Sequence, residues 1–329
     1  MLAGKTVLVL GAGASVKFGF PTGDTLKSTL RSYLSLRFDF GHQVAGDREF
    51  GNYLRSKLPS EAEAYVEAGH RIASALPAFL SIDECLWTHF SDTKMVQAGK
   101  MAIAAIIADF ESRSFIAKLS GRADEAQAAN EALTSHWPHL VAQILISGLR
   151  REDAEKVFEN LSIISFNYDR CGEAAIAASV ARGLRISLED SAAIMGRTLK
   201  VFRPYGGLGP PANFGRMNPW TAIEAAGGIK IYTEKLDDRP DIKLMRQALG
   251  EADSIVLLGF GYHSQNMQLL QGTRHSVASV YSTFKGETPP RIDAFVAKAK
   301  AAFQARDVLH SIDADCEQTL HHYRPALIA

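Results

Sequence analysis

Cysteine is scarce and scattered: Cys85, Cys171 and Cys316 are the only three in 329 residues, with no C-x-x-C pair. An odd, widely spaced set excludes a full disulfide framework and a zinc ribbon. A reducing cytoplasm is the compartment it implies. Net charge is lacking too. Lys+Arg and Asp+Glu both number 36, so neither nucleic acid nor an anionic membrane attracts the chain in bulk. Long apolar runs are also missing. Thr6–Leu10 runs straight into glycines, too short for a secretory core. Met101–Ala108 falls far below the ~20 residues a membrane helix needs. The expectation is a cytoplasmic protein without membrane segment or export signal.

What is present is globular. Hydrophobic residues make up 47% and charged residues 22%, enough for a sizeable core and too apolar for disorder. Thr6–Leu10 (TVLVL) is β-branched and continuously apolar, as a strand buried on both faces of a parallel sheet must be. Similar runs recur at Leu161–Phe166, Thr198–Phe202, Gly228–Tyr232, Ser254–Leu258 and Val277–Tyr281. Helical patterns separate the later ones, most clearly Asp238–Leu249 and Gln265–Leu270. This alternation predicts an α/β fold, a Rossmann-like parallel sheet of about six strands.

Between the first two runs strand signal almost vanishes. Helices are predicted at Asp24–Leu36, Glu61–Leu76, Asp83–Phe90, Thr93–Leu119 and Asp124–Leu149, with breaks at Pro59, Pro77, Gly121 and Pro138. Gly99–Phe110 is apolar around most of its circumference and should be a buried helix. Residues 1–24 and 160–329 therefore read as one Rossmann-like α/β domain, and 25–159 as a large helical insertion after the first strand. Arg291–Ala305 reads as a closing helix.

Four loops follow predicted strands, where an open α/β sheet holds its ligand. In Gly11-Ala12-Gly13-Ala14-Ser15, glycines let a phosphate approach backbone N–H groups; a tight strand–helix turn without ligand is the alternative, and placement after the strand favours the nucleotide. The dehydrogenase fingerprint is incomplete, because Val16 takes the third glycine's place and no acidic residue ends a second strand about 20 residues later. In Gly19-Phe20-Pro21-Thr22-Gly23-Asp24, Asp24 reads as a helix N-cap. Asn167 and Asp169, after Phe166, either cap the next helix or meet a ribose hydroxyl or water. Tyr205, before Gly206 and Gly207, is either a packed aromatic or a pocket contact. Gly259 and Gly261 allow backbone approach, and His263 is the one histidine of ten after a predicted strand end; a structural hydrogen bond is its bland alternative.

Taken in order, these loops resemble the sirtuin-like (SIR2-like) family, in the branch found in bacterial antiphage defence. Gly11–Ser15 with Gly19-Phe20-Pro21 resembles its G-A-G-x-S…G-x-P loop. Phe166-Asn167-Tyr168-Asp169 resembles T-N-Y-D, which reads Q-N-I-D in true sirtuins. Tyr205-Gly206 falls where the family has His-Gly, and Leu258-Gly259-Phe260-Gly261 where it has its last nucleotide-contacting strand. Ser81-Ile82-Asp83-Glu84 and Gly99-Lys100 look like features of the inserted helical module.

The resemblance implies a sheet that binds NAD and an NAD+ glycohydrolase that cuts the nicotinamide–ribose bond with water, depleting NAD in an infected cell. By position, Asn167 holds the ribose and the attacking water. Gly11, Ala12, Gly13 and Ser15 cradle the phosphates, with Pro21, Gly206, Gly259 and Gly261 lining the nucleotide site, and Asp169 anchors the nicotinamide-side loop. Tyr205 departs from the family's histidine, and a phenol of pKa ~10 is a poor base; His263 is the substitute. The alternative is a catalytically silent subunit holding NAD or ADP-ribose. No metal is expected, and without a zinc ribbon protein deacylation is not. The family also implies a homo-oligomer or a complex with a sensor subunit, silent until triggered.

Overall fold

The computed structural model describes residues 1–231, 239–271 and 278–328. Strand β1 (Thr6–Leu10) is buried throughout, as its unbroken apolar run requires. A 3-10 helix, Ala12–Phe18, and α1 (Gly23–Leu34) follow. Thr22 caps α1, its side chain accepting from the Thr25 N–H. Asp24, read as the cap, lies in the first turn and pairs with Lys27 at 3.2 Å. Next come an antiparallel hairpin, β2 (Arg37–Asp39) and β3 (His42–Ala45), then α2 (Arg48–Lys57), α3 (Ala62–Ala75), α4 (Ile82–Thr88), α5 (Thr93–Arg113), α6 (Ala123–Leu133) and α7 (Trp137–Ile146). The remaining elements are β4 (Leu161–Ser165), α8 (Cys171–Leu184), α9 (Leu188–Thr198), β5 (Lys200–Phe202), α10 (Pro219–Glu224), α11 (Pro240–Gly250), β6 (Ser254–Leu258), α12 (Ser264–Leu270), β7 (Ser279–Ser282), α13 (Pro289–Phe303), β8 (Val308–His310) and α14 (Cys316–Leu327).

Six strands form one parallel sheet in the order β5-β4-β1-β6-β7-β8. Counted along the chain, these strands run 3-2-1-4-5-6, the doubly wound Rossmann order, in which the direction of winding reverses between the first and fourth. That switch point lies where β1 meets β6 in register from Thr6 opposite Ser254 to Leu10 opposite Leu258. The pleat splits the core. Val7, Val9, Ile164, Ile255, Leu257 and Val280 join one cluster, with residues of α1, α3, α5 and α13. Leu8, Leu10, Ile163, Val256 and Leu258 join the other, with residues of α7, α8 and α14. The helices that follow β1 thus share their cores with both faces of the sheet.

Several predicted elements differ. Gly228–Tyr232 is no strand: Ala225–Gly228 is a 3-10 turn and Ile229 makes one isolated bridge to Gly206, while Tyr232 lies outside the described residues. Its isoleucines are buried without entering the ladder. The sixth strand is β8 instead. Asp238 and Val277, where two other predicted elements begin, also lie outside the described residues. The predicted helix Thr93–Leu119 ends at Arg113, where Ser114 turns extended and starts a 3-10 helix. Asp124–Leu149 is two helices, restarting at Trp137-Pro138. Met101–Ala108 is buried as its composition requires. Among the described residues no helix is long and apolar enough to cross a membrane.

Candidate functional site at the sheet switch point

The carboxyl ends of β1 and β6 meet backbone to backbone. The Gly11 N–H donates to Leu258 O and the Gly13 N–H to Gly259 O, both at 3.0 Å. A Cβ on Gly11 would lie 2.5 Å from Gly259 O, and one on Gly13 2.8 Å from Gly259 Cα. Gly259 has φ +57°, and its Cβ would run into the Gly13–Ala14 peptide. All three glycines are therefore demanded by contact between the loops, before any ligand is considered. The Ala14 N–H also bonds internally, to Gly11 O at 2.9 Å. A phosphate at this loop must find donors other than the amides of Gly11, Gly13 and Ala14. Ala12 and Gly13 remain exposed on the crevice surface.

Asn167, Ser15 and Asp169 form one buried network beside that contact. The Asn167 amide nitrogen donates to Gly11 O at 3.0 Å and to Ser15 Oγ at 3.1 Å. Ser15 donates in turn to Asp169 Oδ1 at 3.0 Å, which also accepts the Cys171 N–H at 3.0 Å. Both amide hydrogens of Asn167 are thus committed, and among the described residues its side-chain oxygen accepts no internal hydrogen bond. Ser15 is 3% exposed, so its hydroxyl serves this network rather than a phosphate. Burial pushes the Asp169 carboxyl up to about 6, against the Cys171 N–H and Arg203, which favour its charge, and with Glu173, which opposes it.

Two arginines hold the Asn-Tyr-Asp loop. Arg203, after β5, donates to Asn167 O at 3.1 Å and Asp169 O at 2.8 Å and pairs with Glu173. Arg170 and Glu111 form an ion pair with no exposed surface on either side chain; Arg170 also donates to the carbonyls of Leu208, Pro210 and Asn213. Sequence reading passed over these residues. The available signal was a glutamate just beyond the apolar stretch Met101–Ala108.

Tyr205 is a packed aromatic with an engaged hydroxyl. It packs against Phe166 and Tyr168, ring centroids 5.9 and 6.4 Å away, and its hydroxyl donates to Asn266 Oδ1 at 2.6 Å. Gly206, at φ +68°, closes on Gly228 O. The Tyr168 hydroxyl donates to Asp83 Oδ1 on α4 at 2.6 Å. Burial raises the Asp83 carboxyl to about 6, although this hydrogen bond favours its charge. Tyr262, between Gly261 and His263, is buried at φ +54°. Strained backbone of this kind persists where packing over-determines it; here Tyr262 stacks on Phe295 at 4.8 Å and its hydroxyl meets Ser282 Oγ at 2.5 Å.

His263 stands apart, exposed at the N-terminus of α12. Crowding and Lys298 lower its pKa, while Asp24 and Glu84 oppose the shift, so it is neutral at pH 7. No hydrogen bond among the described residues joins it to Asn167. Pro21 is half-buried just before α1. Two cavities of about 490 and 630 Å³ lie elsewhere, one between α6 and α8, the other between α1 and α5. Among the described residues no cluster of three His, Cys, Asp or Glu is placed to hold a metal ion.

The site is therefore an amide with a spare acceptor at the switch point of a doubly wound sheet, with the Asp169 carboxyl, raised by burial, linked to it through Ser15. No family model and no curated protein matches the chain.

Proposed function

We propose that the chain binds NAD at this crevice and hydrolyses its nicotinamide–ribose bond, as a sirtuin-like effector of antiphage defence. The observation that carries this reading is Asn167. Its amide is fixed at the switch point by Gly11 and Ser15, leaving an oxygen for a ribose hydroxyl or a water. Such a bond breaks through an oxocarbenium-like state, so positioning and electrostatics supply most of the rate. Ser15 and Asp169 orient the amide. Ala12, exposed at the loop, offers its backbone for the pyrophosphate side, with Pro21, Gly206, Gly259 and Gly261 around it. His263, neutral at pH 7, is a proton acceptor at the rim.

A second reading is a silent subunit that holds NAD or ADP-ribose. The engaged Tyr205 hydroxyl favours it, since a phenol held by Asn266 stands where the family has its base. Both readings place the protein in the cytoplasm, as an oligomer or with a sensor subunit that releases activity. Turnover by the parent chain separates them, being present under the first and absent under the second; Asn167→Ala then tests the site, since NAD turnover should disappear with the fold intact, and full turnover in that variant refutes the catalytic assignment.

A further inference from the structure

Gly11 O and Ser15 fix the Asn167 amide, but where that amide points also depends on the peptide that carries it. The sheet brings one side chain to that peptide. β4 and β5 run parallel with Ile164 opposite Phe202, so Arg203 leaves β5 beside the chain leaving β4. Its Nη1 donates to Asn167 O at 3.1 Å and to Asp169 O at 2.8 Å. Its Nη2 pairs with Glu173, in the first turn of α8. Among the described residues no other donor reaches either carbonyl. Asn167 and Asp169 are buried, so bulk water does not readily replace a lost bond. The Arg203 side chain is itself enclosed, 15% exposed against 1% for Glu173. One planar fork thus ties the Asn-Tyr-Asp loop to α8, one nitrogen on each side. Arg170 does not duplicate it, being spent on Glu111 and on the carbonyls of Leu208, Pro210 and Asn213.

We propose that Arg203 is a positioning residue for the reaction, aiming the Asn167 amide through the two carbonyls it holds; this rests on the NAD-cleaving reading above. Arg203 acts through Asn167 and not on the reacting atoms. The Asn167 N–H donates to Ser165 Oγ at 3.3 Å, so its peptide is tied on the strand side as well. Without Arg203 the loop keeps that tether and loses the next, and the amide is free to swing about the strand end. A displacement of about 1 Å in a positioned group costs about 100-fold in rate. That loss falls on the chemical step, because the pyrophosphate contacts lie on the loop after β1. Lysine is no equivalent. Its ammonium is a point charge on a flexible stem, able to meet Glu173 or the carbonyls but lacking the fork that meets both.

The test is nicotinamide release by the full chain, with its activating partner if one is required, resolved into kcat and KM for NAD beside the urea midpoint of each variant. Arg203→Lys keeps a charge facing Glu173. Its kcat should fall about 100-fold, with KM little changed. Arg203→Ala should lose turnover too. Millimolar guanidinium, which matches the missing group, should restore part of it, whereas methylammonium at the same concentration should not. A merely structural role gives a lowered midpoint, an unchanged kcat per folded molecule and no such rescue. Parent kcat in Arg203→Lys overturns the assignment, as does a raised KM at unchanged kcat. A loss in folded Arg203→Ala that guanidinium does not relieve overturns it as well; where Arg203→Ala does not fold, Arg203→Lys decides alone. A parent chain that releases no nicotinamide refutes the NAD-cleaving reading and the positioning role with it, whereas turnover indifferent to Arg203 refutes the positioning role alone.

Discussion

Removing Glu111 is the sharpest stability test of how the crevice is held. Arg170 has no exposed surface, and among the described residues Glu111 carries its only counter-charge within hydrogen-bond reach. Glu111→Ala leaves a guanidinium buried and uncompensated, which costs about 3–5 kcal/mol. That is a large share of the roughly 5–15 kcal/mol by which native proteins are stable. With an m value of about 3 kcal/mol/M in urea, the unfolding midpoint should fall by about 1–1.7 M. Glu111→Gln should fall less, since its oxygen still accepts one guanidinium N–H. Replacing both partners by apolar residues, Glu111→Leu with Arg170→Met, should be milder than Glu111→Ala, because no charge is then stranded. Urea titration followed by tryptophan fluorescence reads all of these. A midpoint shift under about 0.3 M for Glu111→Ala would refute the reasoning.

The same logic gives two smaller predictions. The folded Asp169 pKa, raised from 3.8 to about 6, means the folded state binds the proton more tightly than the unfolded one. Stability from this group is full below about pH 4 and is lost as pH rises through about 6, by about 3 kcal/mol; Asp169→Asn should flatten that slope in thermal melts across pH 4–7, and an unchanged slope would count against it. Gly259→Ala forces a side chain into a left-handed position, about 1–2 kcal/mol, and against the Gly13–Ala14 peptide besides. It should therefore destabilise by more than the backbone term alone, and a melting temperature equal to the parent's would contradict the loop contact.

The sheet was legible because β1 and β6 are apolar runs that stop at glycine and β4 is an apolar run broken by one serine and stopped by polar residues. Strand β8 was not, since Val308-Leu309-His310 buries only its valine fully and carries no pattern. The β2–β3 hairpin has no fully buried residue, so no face of it leaves an alternating trace. Gly228–Tyr232 misled because the same isoleucines bury equally well in a turn. Gly11, Gly13 and Gly259 were marked in the sequence, but their reason was not: it is a contact between loops about 250 residues apart. Ser15 and Asp169 were read as separate contacts, when the chain spends them on each other and on Asn167. Asp83 lies 84 residues from Asn167 in the sequence, and only the folded chain sets it against Tyr168.

The claim that the crevice is an NAD glycohydrolase site is tested most directly by mass balance in ¹⁸O-water. The full chain is incubated with NAD, alone and with the sensor subunit proposed to release its activity, and the NAD lost is compared with the nicotinamide and ADP-ribose formed. The account predicts little turnover alone. With the activating partner it predicts equal amounts of the two products, ¹⁸O at C1′ of the ADP-ribose, and none of this in Asn167→Ala. NAD that stays intact under both conditions, or is consumed equally by the Asn167→Ala chain, would contradict it.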